Sequence, residues 1–237
     1  MMSVEKAEAL GIPSDRWVYV HAAASGNDLY AFTERDRLDR SPAVATAAAR
    51  CFELAETTVE EFEIIDLYSC FPAMVQITAA ELGLDLDAQL TRTGGMSYFG
   101  GPYNSYCVHA VATVVDDVRA TGLRGLVHGN GGNATKQNFV VYGADPAPAG
   151  FRHSNVQDEI DHGRRQVDLM YSGDATIEAY TVVHDGEGPT HALLTARNGD
   201  GHRVLARIDD AATAAAMEAE EAIGRTVAVA EQKGSLT

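Results

Sequence analysis

Patterns typical of β-strands and of α-helices alternate along the first part of this chain, and this alternation constrains the fold more than any other feature. Residues 17 to 24 (WVYVHAAA) and residues 62 to 68 (FEIIDLY) are short runs rich in apolar residues, as buried strands are. A helical pattern with an N-terminal proline follows the first run over residues 41 to 56, and another follows the second over residues 72 to 82. Strands that alternate with helices favour a layered α/β fold.

A glycine-rich segment interrupts this alternation. Residues 91 to 102 (TRTGGMSYFGGP) contain four glycines and one proline, too many for a regular element, so we predict a loop. Helical periodicity resumes over residues 104 to 121. Two strand-like runs then follow at residues 124 to 128 and 138 to 142, and the Gly- and Asn-rich segment between them predicts a hairpin.

The character of the sequence changes after a Pro- and Ala-rich stretch that ends near residue 152. We predict a first domain over residues 1–152, a linker over 153–166 and a small domain over 167–237. The small domain reads as three strands, an Ala/Glu-rich helix and a strand, at residues 176–184, 191–197, 203–208, 210–223 and 226–230. This order predicts an OB-like, partly open barrel, and a split α+β sandwich is the alternative.

Composition excludes several classes of protein. Hydrophobic residues make up 46% and charged residues 22%, as in globular proteins, and the net charge of −16 disfavours nucleic-acid and anionic membrane partners. There is no uncharged apolar run of the ~18 residues needed for a membrane span, and no secretion signal, so we expect a cytoplasmic protein. Cys51, Cys70 and Cys107 are widely spaced, which suggests neither a disulfide framework nor a metal site.

Cys70 is the first candidate for a functional residue. It lies where a predicted strand gives way to a helix that starts at Pro72, and active sites of α/β sheets lie at such junctions. The amides and dipole of a helix N-terminus lower a thiol pKa, so we expect a nucleophile or a proton shuttle. An inert buried cysteine is the alternative.

Two glycine-rich segments supply further candidates. The segment 94–102 lets backbone approach a ligand closely, although a crowded turn explains it equally well. The segment 128–133 (HGNGGN) carries His128, whose imidazole exchanges a proton near neutral pH. A surface histidine with ordinary polar partners is the alternative there.

Taken together, three segments resemble the C-terminal half of a thiolase, especially the sterol-carrier-protein and thiolase-like branch. They are IDLYSCFPAMVQITAAELGL, GGMSYFGGPYNSY and GLVHGNGGNATKQNFVVYG, and the resemblance covers residues 3 to 143. Residues 167 to 234 resemble the additional C-terminal domain of bacterial thiolase-like proteins. The resemblance implies a layered α-β-α half followed by a small β-rich domain.

The resemblance also implies residue roles. Residues 68 to 71 (YSCF) align with a His-Asp-Cys-Phe motif whose cysteine acts as an acid/base, so it implies a catalytic Cys70, together with Tyr68 and His128. It implies a coenzyme A thioester as the substrate, with neither a covalently bound cofactor nor a metal. The implied substrate-binding residues are Gly100, Gly101, Asn130 and Gly131.

Three positions depart from the family pattern. Tyr68 replaces the motif histidine, Gly101 stands where thiolases place the histidine that deprotonates the nucleophilic cysteine, and Gly129 stands at the usual second cysteine. The chain also begins where the thiolase second half begins. The resemblance therefore implies part of an acyltransferase of lipid metabolism that is completed by an N-terminal-half protein or by a homo-oligomer. By itself the chain is expected to be inactive, and a non-catalytic scaffold is the alternative.

Overall fold

The structure is a computed structural model, and it describes residues 1–236. The chain divides into two compact units. The first, which we call the α/β unit, consists of Met1–Tyr30 and Arg37–His162; the second, the barrel unit, consists of Ala31–Asp36 and the chain from Gly163 onward. Within residues 1–236, no helix is both long enough and apolar enough to cross a membrane.

The α/β unit contains the alternation that the sequence predicts. Its helices are α1 Val4–Ala9, α2 Pro42–Ala55, α3 Pro72–Leu82, α4 Met96–Phe99 and α5 Tyr106–Thr121. Its strands are β1 Tyr19–Asn27, β2 Ile64–Asp66, β3 Gly125–Gly131, β4 Lys136–Gly143 and β5 Arg152–Asn155.

These strands form one mixed sheet in the order β2-β3-β4-β1-β5. Strands β2 and β3 are parallel, β3 and β4 form the predicted antiparallel hairpin, and β1 runs antiparallel to β4 and parallel to β5. In the hairpin Asn130 lies opposite Gln137, and His128 lies opposite Phe139. This register decides which polar side chains meet at the candidate site.

Helices cover both faces of the sheet. Alternate residues of β3 belong to different cores: Leu126 packs in the core that contains α2 and α3, whereas Val127 packs in the core that contains α5. Helix α5 lies so close to β3 that a Cβ atom at Gly125 would come within 2.3 Å of Val114 Cγ1. The predicted α/β layering is confirmed.

Local signals define the helix ends. The Ser41 hydroxyl accepts a hydrogen bond from the Val44 amide at 3.1 Å, and Pro42 follows at the first helical position, so α2 begins as its sequence predicts. Gly83 and Gly122 adopt the left-handed conformation directly after α3 and α5. Three of the predicted boundaries therefore agree with the structure to within one residue.

The barrel unit is a closed barrel with strand order β10-β8-β7-β6-β9. Helix α6 follows β8, the third strand of the barrel along the chain, which is the arrangement of the predicted OB-like barrel and not of the split α+β sandwich. The bounds are β6 Gly173–Asp185, β7 Gly188–Arg197, β8 Arg203–Ile208, α6 Ala211–Ala219, β9 Thr226–Ala230 and β10 Lys233–Leu236.

A segment from early in the chain completes the barrel unit. The buried guanidinium of Arg203 donates to the Glu178 carboxylate at 2.7 Å and to the carbonyl oxygens of Thr33 and Arg35 at 2.7 and 2.5 Å. It also reaches the Asp36 carbonyl at 3.2 Å. Arg203 thereby holds Ala31–Asp36, which we call the strap, against the barrel.

Some elements differ from the sequence prediction. The glycine-rich segment predicted to be a loop contains the short helix α4, Met96–Phe99. Strand β5, Arg152–Asn155, occupies part of the segment that we expected to be a linker, and it pairs with β1. Strand β10, Lys233–Leu236, was not predicted, and it closes the barrel that we expected to be partly open.

Candidate functional site

Cys70 lies in the connection between β2 and α3, as the sequence predicts. Its side chain is half-buried, and its thiol donates a hydrogen bond to Asn130 Oδ1 at 3.2 Å. Burial raises the pKa of the Cys70 thiol above its ordinary value, and this effect exceeds that of the backbone hydrogen bonds that lower it. The expected lowering of the pKa by the helix N-terminus is therefore wrong, because desolvation dominates and the thiol stays protonated at neutral pH.

His128 lies inside the protein rather than on its surface. Its ring is fully buried and stacks on Phe139, with ring centroids 4.6 Å apart. Burial lowers the pKa of His128 to about 4. The expectation that this imidazole exchanges a proton near neutral pH is therefore wrong, since the folded protein keeps it neutral.

The hydrogen bonds of His128 identify its tautomer. Its Nε2 lies 2.9 Å from Gln137 Oε1, and an amide oxygen only accepts, so Nε2 carries the proton. Nδ1 is then an unprotonated acceptor, and within residues 1–236 this buried atom has no hydrogen-bond partner. A lone pair without a partner inside a protein is costly, and such atoms often mark functional sites.

Two amide side chains connect Cys70 with His128. Asn130 accepts from the Cys70 thiol and donates through Nδ2 to Gln137 Oε1 at 3.0 Å, and the same Gln137 oxygen accepts from His128. Gln137 Nε2 is held in turn by the Ala134 carbonyl at 3.2 Å. We call Cys70, Asn130, Gln137 and His128 the amide-linked network. Cys70 and His128, both candidates from the sequence, therefore meet in one chain of hydrogen bonds.

Sequence reasoning missed Gln137. The second strand of the hairpin was expected to begin at residue 138, whereas β4 begins at Lys136 and pairs Gln137 with Asn130. Had the predicted strands been extended to the turn as the structure has them, Gln137 would have been predicted opposite Asn130. The sequence did not indicate where the turn begins and ends.

Tyr68, the remaining catalytic candidate, lies near this network. Its ring meets the Tyr106 ring edge-on, with centroids 5.2 Å apart. The pKa of Tyr68 is raised to about 12, first by burial and then by the neighbouring Cys107 and Cys70 thiols. Its hydroxyl is therefore a proton donor at neutral pH and not a base.

The glycine-rich segment 94–102 is exposed at its C-terminal end. Gly100 and Gly101 are both solvent-exposed, and a Cβ atom at Gly101 would lie 3.8 Å from Met96 Cε, so a side chain has room there. Tyr98 and Tyr103 on either side are 82% and 89% exposed. Such exposed aromatic side chains are typical of a surface that contacts a ligand or another protein.

A cavity of about 400 Å³ borders the amide-linked network: Asn130 and Gln137 line it, whereas Cys70 and His128 are not among its lining residues. Gly129 and Gly131 line it as well. This volume lies within the usual range of small-molecule sites, roughly 300 to 1,000 Å³. The cavity thus brings together Asn130 and Gly131, which the resemblance implies as binding residues, but Gly100 and Gly101 do not line it.

Cys107, on α5, also lines this cavity. Its Sγ lies 3.3 Å from the position that a Cβ atom at Gly129 would take, and Gly129 stands where the family has its second cysteine. Burial raises the pKa of Cys107, as it does for Cys70. A second protonated thiol therefore lies beside Gly129, supplied by α5 instead of β3.

Comparisons with known proteins find one family model and solved structures that match this chain. Residues 155–234 match the family model described as the thiolase-like protein type 1 additional C-terminal domain. A solved structure described as a monomeric SCP2-thiolase-like protein type 1 from Mycobacterium smegmatis matches 100% of this chain, at 30% sequence identity and a TM-score of 0.88. The match covers 54% of that protein, so this chain spans about half the length of its solved relative. No curated protein sequence gives a significant match.

Proposed function

We propose that this thiolase-like protein is the acyl-thioester-binding portion of an acyltransferase, and that its substrate is an acyl-CoA. The observation that carries the proposal is the amide-linked network, which connects the Cys70 thiol to His128 through Asn130 and Gln137, two residues that also line a cavity of ligand size. A buried polar group that is left unpaired is costly, and packing alone does not require a hydrogen-bonded network of four polar side chains beside the end of the β3–β4 hairpin. The solved relative, which is described as SCP2-thiolase-like, supports the choice of reaction class.

In this proposal Cys70 delivers a proton instead of attacking the substrate. Its thiol is neutral at physiological pH because burial raises its pKa, and its hydrogen bond to Asn130 fixes the direction of the S–H bond. A thiol in this state protonates a carbanion or an enolate that forms beside it. Asn130 and Gly131 border the cavity in which the thioester would lie.

We also propose that a second protein or polypeptide segment covers the exposed aromatic side chains in and after the glycine-rich segment. Phe71, Phe99 and Val108 are large apolar side chains with 49%, 45% and 64% of their surface exposed, in addition to Tyr98 and Tyr103. The four of these side chains that lie within residues 98–108 form one exposed apolar stretch of sequence, which supports an interface. The partner we propose is the other half of a thiolase-like fold, in the same or another polypeptide, and a second copy of this chain is the alternative.

Two observations favour a second candidate function, a non-catalytic scaffold that still associates with such a partner. Gly101 provides no imidazole where thiolases have one, and His128 stays neutral down to a pH of about 4. A nucleophilic cysteine needs an activating base, and general-base catalysis contributes about 10²- to 10⁴-fold. We therefore expect the chain alone to give no CoA-dependent cleavage of a 3-ketoacyl-CoA.

Calorimetric titration with acetyl-CoA separates the two candidates. The titration is performed on the chain alone and after mixing with the N-terminal half of a thiolase-like protein. If the acyltransferase proposal holds, we expect acetyl-CoA to bind with measurable heat and Cys70→Ala to lower its affinity at least about threefold. Cys70→Ser should largely keep the affinity, and Cys51→Ala, the control for loss of a thiol, should leave it unchanged. Association of the two halves without any acetyl-CoA heat would instead establish the scaffold.

A further inference from the structure

A second set of buried polar groups lies on the other side of the Cys70 loop, and the proposed chemistry does not use it. Asp66, the last residue of β2, is fully buried, and its Oδ2 accepts hydrogen bonds from the Arg92 amide at 2.8 Å, the Thr93 amide at 2.8 Å and the Thr93 hydroxyl at 2.9 Å. Within residues 1–236, its other oxygen, Oδ1, is buried without a hydrogen-bond partner. One carboxylate oxygen therefore organises the start of the glycine-rich segment.

The hydroxyl groups of Thr93, Tyr106 and Ser69 continue from Asp66 as a chain of hydrogen bonds, and the direction of each bond fixes the direction of the next. The Thr93 proton points to Asp66, so Thr93 Oγ1 accepts from the Tyr106 hydroxyl at 2.8 Å. The Tyr106 proton is then used, so Tyr106 accepts from the Ser69 hydroxyl at 3.3 Å. A hydroxyl has one proton to donate, which leaves no other arrangement of this chain.

Two backbone amides of the glycine-rich segment donate hydrogen bonds to hydroxyl groups of this chain. The Gly95 amide donates to Thr93 Oγ1 at 3.2 Å, and the Met96 amide donates to Ser69 Oγ at 3.1 Å. Gly95 has a φ of +86°, a conformation that favours glycine, and a Cβ atom there would lie 3.1 Å from Ser69 Oγ, which would have to shift slightly. Ser69 directly precedes Cys70, so the chain connects the cysteine loop with the glycine-rich loop.

We propose that Asp66 is a positioning residue, which acts through Thr93, Tyr106 and Ser69 to hold the glycine-rich loop in place against the loop that carries Cys70. The functional part of this inference rests on the proposed acyl-thioester site. The positioning of the loop is a property of the free protein, because every hydrogen bond in this chain from Asp66 to Ser69, which we call the relay, forms without a ligand. Failure of acyl-CoA binding would therefore leave the relay itself standing.

Amide hydrogen exchange, measured residue by residue by NMR on the unliganded chain, tests the relay. Tyr106→Phe removes one hydroxyl and keeps the ring that packs against Tyr68. We expect it to speed exchange of the Met96 amide about fivefold to tenfold, because Ser69, the acceptor of that amide, loses the hydrogen bond to Tyr106 that orients it, while the Gly95 amide keeps its bond to Thr93 and stays protected. Tyr142→Phe, at a second buried tyrosine, is the matched control and leaves both amides unchanged.

Two further variants locate the ends of the relay. Ser69→Ala, at a half-buried position, exposes the Met96 amide alone, and it also serves as the test if Tyr106→Phe does not fold. Asp66→Asn keeps an acceptor oxygen and preserves protection of both amides, whereas Asp66→Ala speeds exchange at both. Rescue by asparagine is the result that a general loosening of the fold does not give.

The link to Cys70 has its own readout. In the Tyr106→Phe variant we expect the rate of Cys70 alkylation by iodoacetamide, followed by peptide mass spectrometry, to change at least about threefold, because Ser69 loses its acceptor. In Tyr106→Phe, an unchanged Met96 exchange rate, equal acceleration at Gly95 and Met96, or an unchanged Cys70 alkylation rate would each overturn the proposal.

Discussion

A buried arginine of the barrel unit and two buried side chains of the α/β unit differ in how completely they are hydrogen-bonded. In the barrel unit, Arg203 is fully buried, and its guanidinium contacts the Glu178 carboxylate and three carbonyl oxygens of the strap. In the α/β unit, His128 and Asp66 are equally buried, but Nδ1 of one and Oδ1 of the other have no partner among residues 1–236. A fully partnered buried charge stabilises a particular fold, whereas orphaned polar atoms are a cost that a binding site can explain.

The largest effect we expect comes from Arg203→Ala. The substitution leaves the Glu178 carboxylate and the strap carbonyls without their donor, and removing one partner of a buried ion pair costs about 3 to 5 kcal/mol. Urea unfolding followed by a probe in the barrel unit measures this loss. Arg207→Ala is the matched control, because Arg207 is half-exposed and its ion pair with Asp209 at the surface contributes little to stability. Equal losses in the two variants would contradict the role of Arg203.

The next effect is the pH dependence of stability that His128 causes. Its pKa is about 4 in the folded protein against 6.5 ordinarily, so between these values the unfolded chain binds a proton that the folded chain does not. The free energy of unfolding contributed by His128 is fully present above pH 6.5 and falls as the pH falls, by ~3 kcal/mol near pH 4. Denaturant melts from pH 4 to 8 measure this slope. His128→Phe should remove it, and an unchanged slope in that variant would refute the buried neutral imidazole.

Gln137→Leu tests the amide-linked network at a similar scale. It leaves the Nε2 proton of His128 and the Nδ2 group of Asn130 without their shared acceptor, which costs about 2 kcal/mol. Urea unfolding at pH 8 measures the loss, and Asn138→Leu, on the adjacent half-buried position of β4, is the control for placing a leucine in the hairpin. A loss no larger than that of the control would show that the network contributes nothing to stability.

The smallest effect concerns His128→Phe at pH 8, where the histidine is neutral. The variant keeps a ring against Phe139 and loses one hydrogen bond, but it also removes the orphaned Nδ1, so we expect a change below about 1 kcal/mol. Comparing this loss of unfolding free energy with that of Arg203→Ala then measures the difference between the two buried sites directly. A loss as large as that of Arg203→Ala would end the comparison.

Local signals explain how much of the fold was predictable. Ser41, Gly83 and Gly122 act on their own neighbouring residues, so the boundaries of α2, α3 and α5 followed from the sequence. Strand β5, with the sequence RHSN, has no apolar alternation to reveal it. Strand β10 follows a turn in which Glu231 and Gln232 adopt positive φ, and neither residue type is a turn signal.

The candidate site was predictable only in part, because its connections join residues far apart in sequence. Cys70 and His128 were identified from their positions near strand ends. Their link through Asn130 depends on the exact hairpin register, and their pKa shifts depend on burial that periodicity does not measure. The strap joins the barrel over more than 160 positions of sequence separation, for which a single sequence holds no local signal.

The most direct test of the central claim is to map acetyl-CoA onto the isotope-labelled chain by NMR titration. The account expects chemical-shift changes at the amides of Cys70, Asn130 and Gly131, none in strands β6 to β9 of the barrel unit, and weaker changes in Cys70→Ala. Shifts confined to the barrel unit, or none at millimolar acetyl-CoA either with or without the N-terminal half of a thiolase-like protein, would contradict an acyl-thioester site at the amide-linked network.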